Sequence, residues 1–202
     1  MMVFCSFALM AQPLSTKHSD YHQSSFAFKA PQLSFTNQVV NGVSYTNLLM
    51  DGSTPSTFIG RPNLPIISEL VEIPLCTNVK VKVSNVQTKE LQPMKNRIMP
   101  VQPAPSKSDR TPQDFVIDDQ FYAQNADSDT PLAWVEDMGV ARDRNVAILR
   151  ISPIIYNPVT GALRQVTSMD VTLTFEDADV AATQQLHQRY YSPDFSLGQN
   201  IL

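Results

Sequence analysis

Valine and lysine alternate without a break over Val79-Lys80-Val81-Lys82-Val83, and no other stretch constrains the fold as tightly. Side chains two apart share a strand face, so the valines must be buried while the lysines meet water. The same period runs through Phe26, Phe28, Leu33 and Phe35, and through Val171, Leu173 and Phe175 with Thr172 and Thr174 between them. Ile66 to Ile73 (IISELVEI) would also fit a helical face, but Pro65 and Pro74 bracket it at the length of a strand. Asn145 to Ile151 is almost continuously apolar, the texture of a central strand covered on both faces.

The turns agree with this reading. Asn41-Gly42 sits between Val39-Val40 and Val43-Ser44-Tyr45, and Asn-Gly between β-formers specifies a tight hairpin because both residues tolerate positive φ. Asn157-Pro158-Val159-Thr160-Gly161 forms a second turn, placing the 145–151 strand and Val166–Phe175 in a second hairpin. The chain has 15 prolines and only 6 glycines, and proline is poorly tolerated inside helices. The expectation is an all-β fold: an antiparallel, jelly-roll-like β-sandwich over 24–178, with an exposed Pro-rich loop and a short C-terminal helix or tail. That helix falls over 179–188, in the acidic and alanine-rich stretch, and 179–202 reads as a linker or tail.

The flanks read differently. Met1 to Ala11 is an apolar run too short to span a bilayer, and it resembles the hydrophobic region of a secretory signal, cleaved between Ala11 and Gln12. Its alternative is a buried first strand. Residues 12–23 are polar and are expected to form a loose leader. After signal removal no apolar stretch is long enough to anchor the chain, so the product is expected to be secreted, periplasmic or on the cell surface.

Residues 90–114 (ELQPMKNRIMPVQPAPSKSDRTPQD) stand apart. Prolines fall at 93, 100, 103, 105 and 112, basic residues are interspersed, and aromatics are absent. Such a segment cannot close a core and is expected to be extended and exposed.

Chemistry is sparse. The formal net charge is −4, with basic residues scattered singly, so neither nucleic acid nor an anionic membrane is an expected partner. His18, His22 and His187 lie in polar flanks without metal-ligand spacing. Cys76 is the one cysteine beyond the signal segment, has no base nearby in sequence, and reads as a small packed residue. Arg142, Asp143 and Arg144 mark the polar turn before the 145–151 strand. Asp127 and Asp129 lack the spacing of a calcium loop and read as turn formers. No Gly-rich phosphate loop is present, no cofactor is called for, and no nucleophile–base pair can be named.

Three segments together carry a resemblance. Gly60-Arg61-Pro62-Asn63-Leu64-Pro65-Ile66-Ile67-Ser68, then Val79-Lys80-Val81, then Ile155-Tyr156-Asn157-Pro158-Val159-Thr160 with Leu163-Arg164 resemble, in order and spacing, the propeptide of gingipain-like (C25 family, clan CD) cysteine peptidases of Bacteroidetes. The resemblance covers about Ser24 to Phe175. It implies a non-catalytic β-sandwich that sits across the active site of a C25-type cysteine peptidase catalytic domain, as inhibitor and folding partner, until cleaved. The catalytic domain itself is absent from this chain. The family places a basic residue between an I-x-P and a Q-x-Y stretch, here Ile98-Met99-Pro100 and Gln120-Phe121-Tyr122. Read without gaps the position is Lys107, with Arg110 and Arg97 as neighbouring alternatives. A basic side chain on extended backbone would form a charge-assisted pair in a desolvated acidic pocket. The competing reading is a stand-alone secreted β-sandwich used for binding or adhesion.

Overall fold

The molecule is described here from a computed structural model, which describes residues 12–104 and 114–191. The signal segment, with Ala11, lies outside the described residues. In chain order the elements are β1 (Leu14–Ser19), β2 (Gln23–Lys29), β3 (Leu33–Val40), β4 (Val43–Met50), β5 (Ser53–Thr54), β6 (Ile66–Ile73), β7 (Asn78–Glu90), β8 (Arg97–Ile98), α1 (Asp119–Tyr122), β9 (Ala133–Ala141), β10 (Arg144–Ile151), β11 (Ile154–Tyr156), β12 (Leu163–Glu176) and α2 (Val180–Tyr190).

These strands form three sheets. In the first, β12 lies between β2 and β7, with β1 beyond β2 and β11 pairing the start of β12. In the second, β10 lies between β6 and β9, and β5 continues from β6. The third is β3–β4–β8, where the β4–β8 pairing is parallel; the other described ladders are antiparallel. Phe26, Phe28, Val171 and Leu173 of the first sheet share one buried cluster with Ile67, Val71, Leu149 and Ile151 of the second. That shared core makes the architecture a β-sandwich, and burial of each such side chain contributes about 1.5–3 kcal/mol.

The strongest patterns fold as their periods require. On β7, Val79 is buried and Val81 and Val83 pack against the core, while Lys80 and Lys82 are exposed. Asn41 and Gly42 take φ of 50° and 79° and close β3 onto β4. Strand β10 is covered on both faces, as its apolar run demands.

Three expectations are corrected. The stretch 12–23 is no loose leader: β1 pairs with β2 from Leu14↔Phe28 to Ser19↔Ser24. Only Leu14 of its side chains is fully buried, so an edge strand of this kind carries almost no hydrophobic signal. Asp20 closes the β1–β2 turn by accepting from the backbone N–H of His22 (2.7 Å) and Gln23 (2.8 Å), and these bonds hold its carboxyl down at about 2.

The second hairpin is β11 with β12, not 145–151 with 166–175. Pro153 follows Ser152 and breaks the strand there, sending β10 to the other sheet. Lastly, Phe26 and Phe28 belong to β2 but Leu33 and Phe35 to β3, with Pro31 between them, and Phe35 is exposed.

Candidate functional site

The segment 90–114 was expected to be exposed throughout, but its first half is built into the sandwich. Leu91 N–H donates to the Leu163 carbonyl at 3.0 Å and Met94 N–H to the Gly161 carbonyl at 2.8 Å. Gly161 has φ +71°, and a Cβ there would lie 2.5 Å from the Met94 carbonyl oxygen, so only glycine lets the two chains approach. Strand β8 then runs parallel to β4 and buries Ile98 completely. Met99 N–H donates to the Thr46 carbonyl at 2.9 Å.

The limb entering residues 103–115 and the limb leaving them are fastened together. Gly60, at φ +83°, donates to the Val101 carbonyl (2.8 Å) and accepts from Asp118 N–H (2.9 Å), so one residue contacts both limbs. Val101 N–H donates to the Arg61 carbonyl and Asn63 N–H to the Met99 carbonyl, each at 2.8 Å. The Gln102 side chain joins the limbs a second time: its Nε2 donates to the Val116 carbonyl at 2.8 Å, and Val116 N–H donates to its Oε1 at 2.9 Å.

The outgoing limb ends in α1. Asp118 caps that helix by accepting from Phe121 N–H at 2.9 Å, and the Arg61 guanidinium lies 3.4 Å from Asp118, between the Phe58 and Phe121 rings. Buried Tyr122 donates its hydroxyl to the Ile98 carbonyl at 2.5 Å, and burial pushes its ionisation well above the ordinary range.

Lys107 and Arg110 lie outside the described residues. Arg97 is described: it belongs to β8, is exposed, and lays its guanidinium 5.5 Å from the centre of the Tyr122 ring. It is therefore part of the sandwich body, five positions before Gln102, and not of the span between the two limbs. Gln12 is exposed. Sequence reasoning named Tyr122 and Gly60 only as parts of motifs, without a structural task, and did not single out Gln102. Gly60 could have been suspected from its place in the Gly-Arg-Pro-Asn-Leu-Pro run, whereas nothing local marks Gln102.

The opposite end of the sandwich holds a polar cluster under α2. Arg144 Nη1 donates to Glu72 Oε2 at 2.6 Å, both side chains being buried. His187, on α2 and half-exposed, brings Nδ1 to 3.1 Å from Asp143 Oδ2, so it is not the isolated flank residue expected. Asp143 and Arg144 are likewise more than turn residues, since both are buried. Helix α2 is docked, not a free tail. Its Asp179 caps Ala182 N–H, Asp179 N–H donates to the Leu75 carbonyl (2.7 Å), and Leu75 N–H donates to Thr183 Oγ1 (2.9 Å).

Cys76 packs against the core, and burial raises its thiol, which disfavours the thiolate. Among the described residues no group of His, Cys, Asp and Glu is arranged to hold a metal ion. No described helix is long and apolar enough to cross a membrane.

A family model, Propeptide_C25, matches residues 14–190, most of the chain and the whole of the described fold from β1 to α2. The chain belongs to the Propeptide_C25 family. Lys-gingipain of Porphyromonas gingivalis is 28% identical to it over 182 residues, covering 88% of this chain and 11% of the relative. Gingipain R2 of the same organism is 26% identical over 157 residues, covering 77% of this chain and 21% of the relative. This Propeptide_C25 chain thus spans a small fraction of the length of those proteins.

Two solved structures share the fold. One, described as a complex of Porphyromonas gingivalis RgpB pro- and mature domains, has a TM-score of 0.72 at 19% identity and covers 88% of this chain and 96% of its own. The other, described as giving insight into the zymogenic latency of gingipain K from Porphyromonas gingivalis, has a TM-score of 0.71 at 23% identity, with coverage of 82% and 93%.

Proposed function

We propose that this Propeptide_C25 chain holds a C25-type cysteine peptidase catalytic domain latent, and assists its folding, by laying a basic segment across the active site until it is cleaved away. The observation that carries this is the match of the family model over residues 14–190, on a fold shared with a pro-domain solved with its mature domain. The site geometry fits. The two limbs at Gln102 and Val116 are held to one another and to the core, and the span between them contains Lys107 and Arg110.

A lysine or arginine offered from that span would enter an acidic specificity pocket, where desolvation strengthens the ion pair. Lysine would present a point charge and arginine a two-pronged donor, so the choice between Lys107 and Arg110 bears on which peptidase is matched. Export is part of the proposal: cleavage between Ala11 and Gln12 would leave the sandwich whole, because β1 begins at Leu14.

The test is inhibition of a C25-type catalytic domain by purified residues 12–202. The wild-type chain is expected to inhibit at micromolar concentration or below. Lys107→Ala combined with Arg110→Ala is expected to weaken it at least about a hundredfold, the loss of a buried charged anchor. Full peptidase activity at micromolar wild-type chain would overturn the proposal.

A further inference from the structure

We infer that Gln102 is a positioning residue for the inhibitory segment, acting as a clasp that fixes where the segment leaves the sandwich and where it returns. The inference rests on the proposed latency role and deepens it. The Gln102 side chain uses both ends of its amide on one backbone unit: Nε2 donates to the Val116 carbonyl and Oε1 accepts from the Val116 N–H. This imitates one rung of an antiparallel ladder between residues that carry no strand. The pairing also fixes the amide orientation, since a flipped amide would face a donor with a donor and an acceptor with an acceptor.

Nothing about the fold requires such a rung. The limbs are already tied to the sandwich by Gly60, by Met99 N–H on Thr46 and by Tyr122 on Ile98. Gln102 is half-buried at the surface and adds no apolar packing to the core cluster. What it adds is registration. Gln102 and Val116 lie on two limbs that are held together before any partner is met, so the limbs give up less freedom when a peptidase binds what they flank. The Phe115 ring packs at a tilt against that of Tyr45, with centroids 5.4 Å apart, and sets the outgoing end on the β3–β4 hairpin. A clasp of this kind affects affinity for the peptidase more than stability of the free chain.

Three variants of the 12–202 chain are compared: Gln102→Ala, Gln102→Glu, and the double variant Lys107→Ala/Arg110→Ala. Each is measured for inhibition of a C25-type catalytic domain, for Tm, and for hydrogen exchange at the Val116 amide. Gln102→Ala is expected to raise Ki about tenfold, because the two limbs are no longer held in register, and to lower Tm by only a few degrees.

The same variant is expected to speed Val116 exchange, which reads the clasp without any peptidase. Gln102→Glu keeps one acceptor but sets a carboxylate oxygen against the Val116 carbonyl, so its Ki is expected to rise at least as far as that of Gln102→Ala. Unchanged Val116 exchange in Gln102→Ala would overturn the clasp. So would an unchanged Ki for Gln102→Ala beside a weakened Ki for the double variant, and that result would leave the latency reading standing. A double variant that inhibits like wild type would overturn the basic-segment reading itself, and the clasp with it.

Discussion

The two ends of the sandwich treat their buried polar groups in opposite ways. Around Gly60, Gln102 and Tyr122 the polar groups that fasten the two limbs are paired with good geometry. Under α2, Arg144 and Glu72 are paired, but both carboxylate oxygens of Asp143 and Nε of Arg144 are buried without a hydrogen-bond partner among the described residues. His187 approaches Asp143 only at ion-pair distance. A fully paired network fixes one arrangement, whereas a partly paired one leaves its elements more easily separated. The first end is thus built to hold a shape, while the second stakes more stability on the ion pairs of one buried arginine, Arg144, with Glu72 and Asp143.

Substitutions at the two ends should therefore separate stability from inhibition. Arg144→Ala leaves Glu72 and Asp143 buried without their cation and is expected to cost about 3–5 kcal/mol, lowering Tm by roughly 10 °C. Thermal denaturation checks this, and Ki measured well below that Tm is expected to match wild type. A large loss of inhibition in the folded variant would break the comparison.

Gly60→Ala is expected to cost less stability, about 1–3 kcal/mol, because an L side chain is strained at φ +83° and its Cβ would lie 3.0 Å from Asp118 N. Its inhibition is expected to suffer more than that of Arg144→Ala, because Gly60 contacts both limbs. Parallel Tm and Ki measurements would show the two variants in reversed order on the two scales.

The smallest effect is one of pH in the first sheet. The hydrogen bond from Lys80, then that from Asn78, lowers Glu176; Asn85 and then Lys17 lower Asp170; backbone N–H groups hold Asp20 at about 2. A folded pKa below the unfolded one gives stability that is present above the unfolded pKa and lost as pH falls through the folded one. Stability is expected to decline modestly from roughly pH 4.5 to pH 2, since these groups face solvent. Lys80→Ala is expected to flatten that decline slightly in a Tm–pH series.

What the sequence disclosed follows the same division. The sandwich was legible wherever burial imposes a period: the valines of 79–83, the apolar run of β10 and the Asn41-Gly42 turn each carry their own signature. Strand β1 was not legible, because an edge strand with one buried leucine looks polar. The pairing of β11 with β12 was missed because Pro153 diverts β10 by a local break that leaves its hydrophobicity intact.

The loop's composition drew attention to the span around Lys107 and Arg110, which lies outside the described residues, but not to its stem. Gln102 meets Val116 only through the tertiary fold, and a glutamine in a proline-rich stretch looks like any solubilising residue. The buried cluster at Asp143, Arg144 and His187 was hidden for a related reason. Asp143 and Arg144 meet Glu72 and His187 only through the tertiary fold, and charge is a poor predictor of burial unless the partner is known.

The most direct measurement is protection of the peptidase's active-site thiol. A C25-type catalytic domain saturated with the 12–202 chain is treated with a small thiol-alkylating reagent, and labelling of its catalytic cysteine is followed with time. The account predicts that wild-type chain shields the thiol and that the Lys107→Ala/Arg110→Ala chain, at equal concentration, shields it far less. Labelling at the rate of the free peptidase, in a complex shown to be saturated, would mean that the segment between Gln102 and Val116 does not cover the active site.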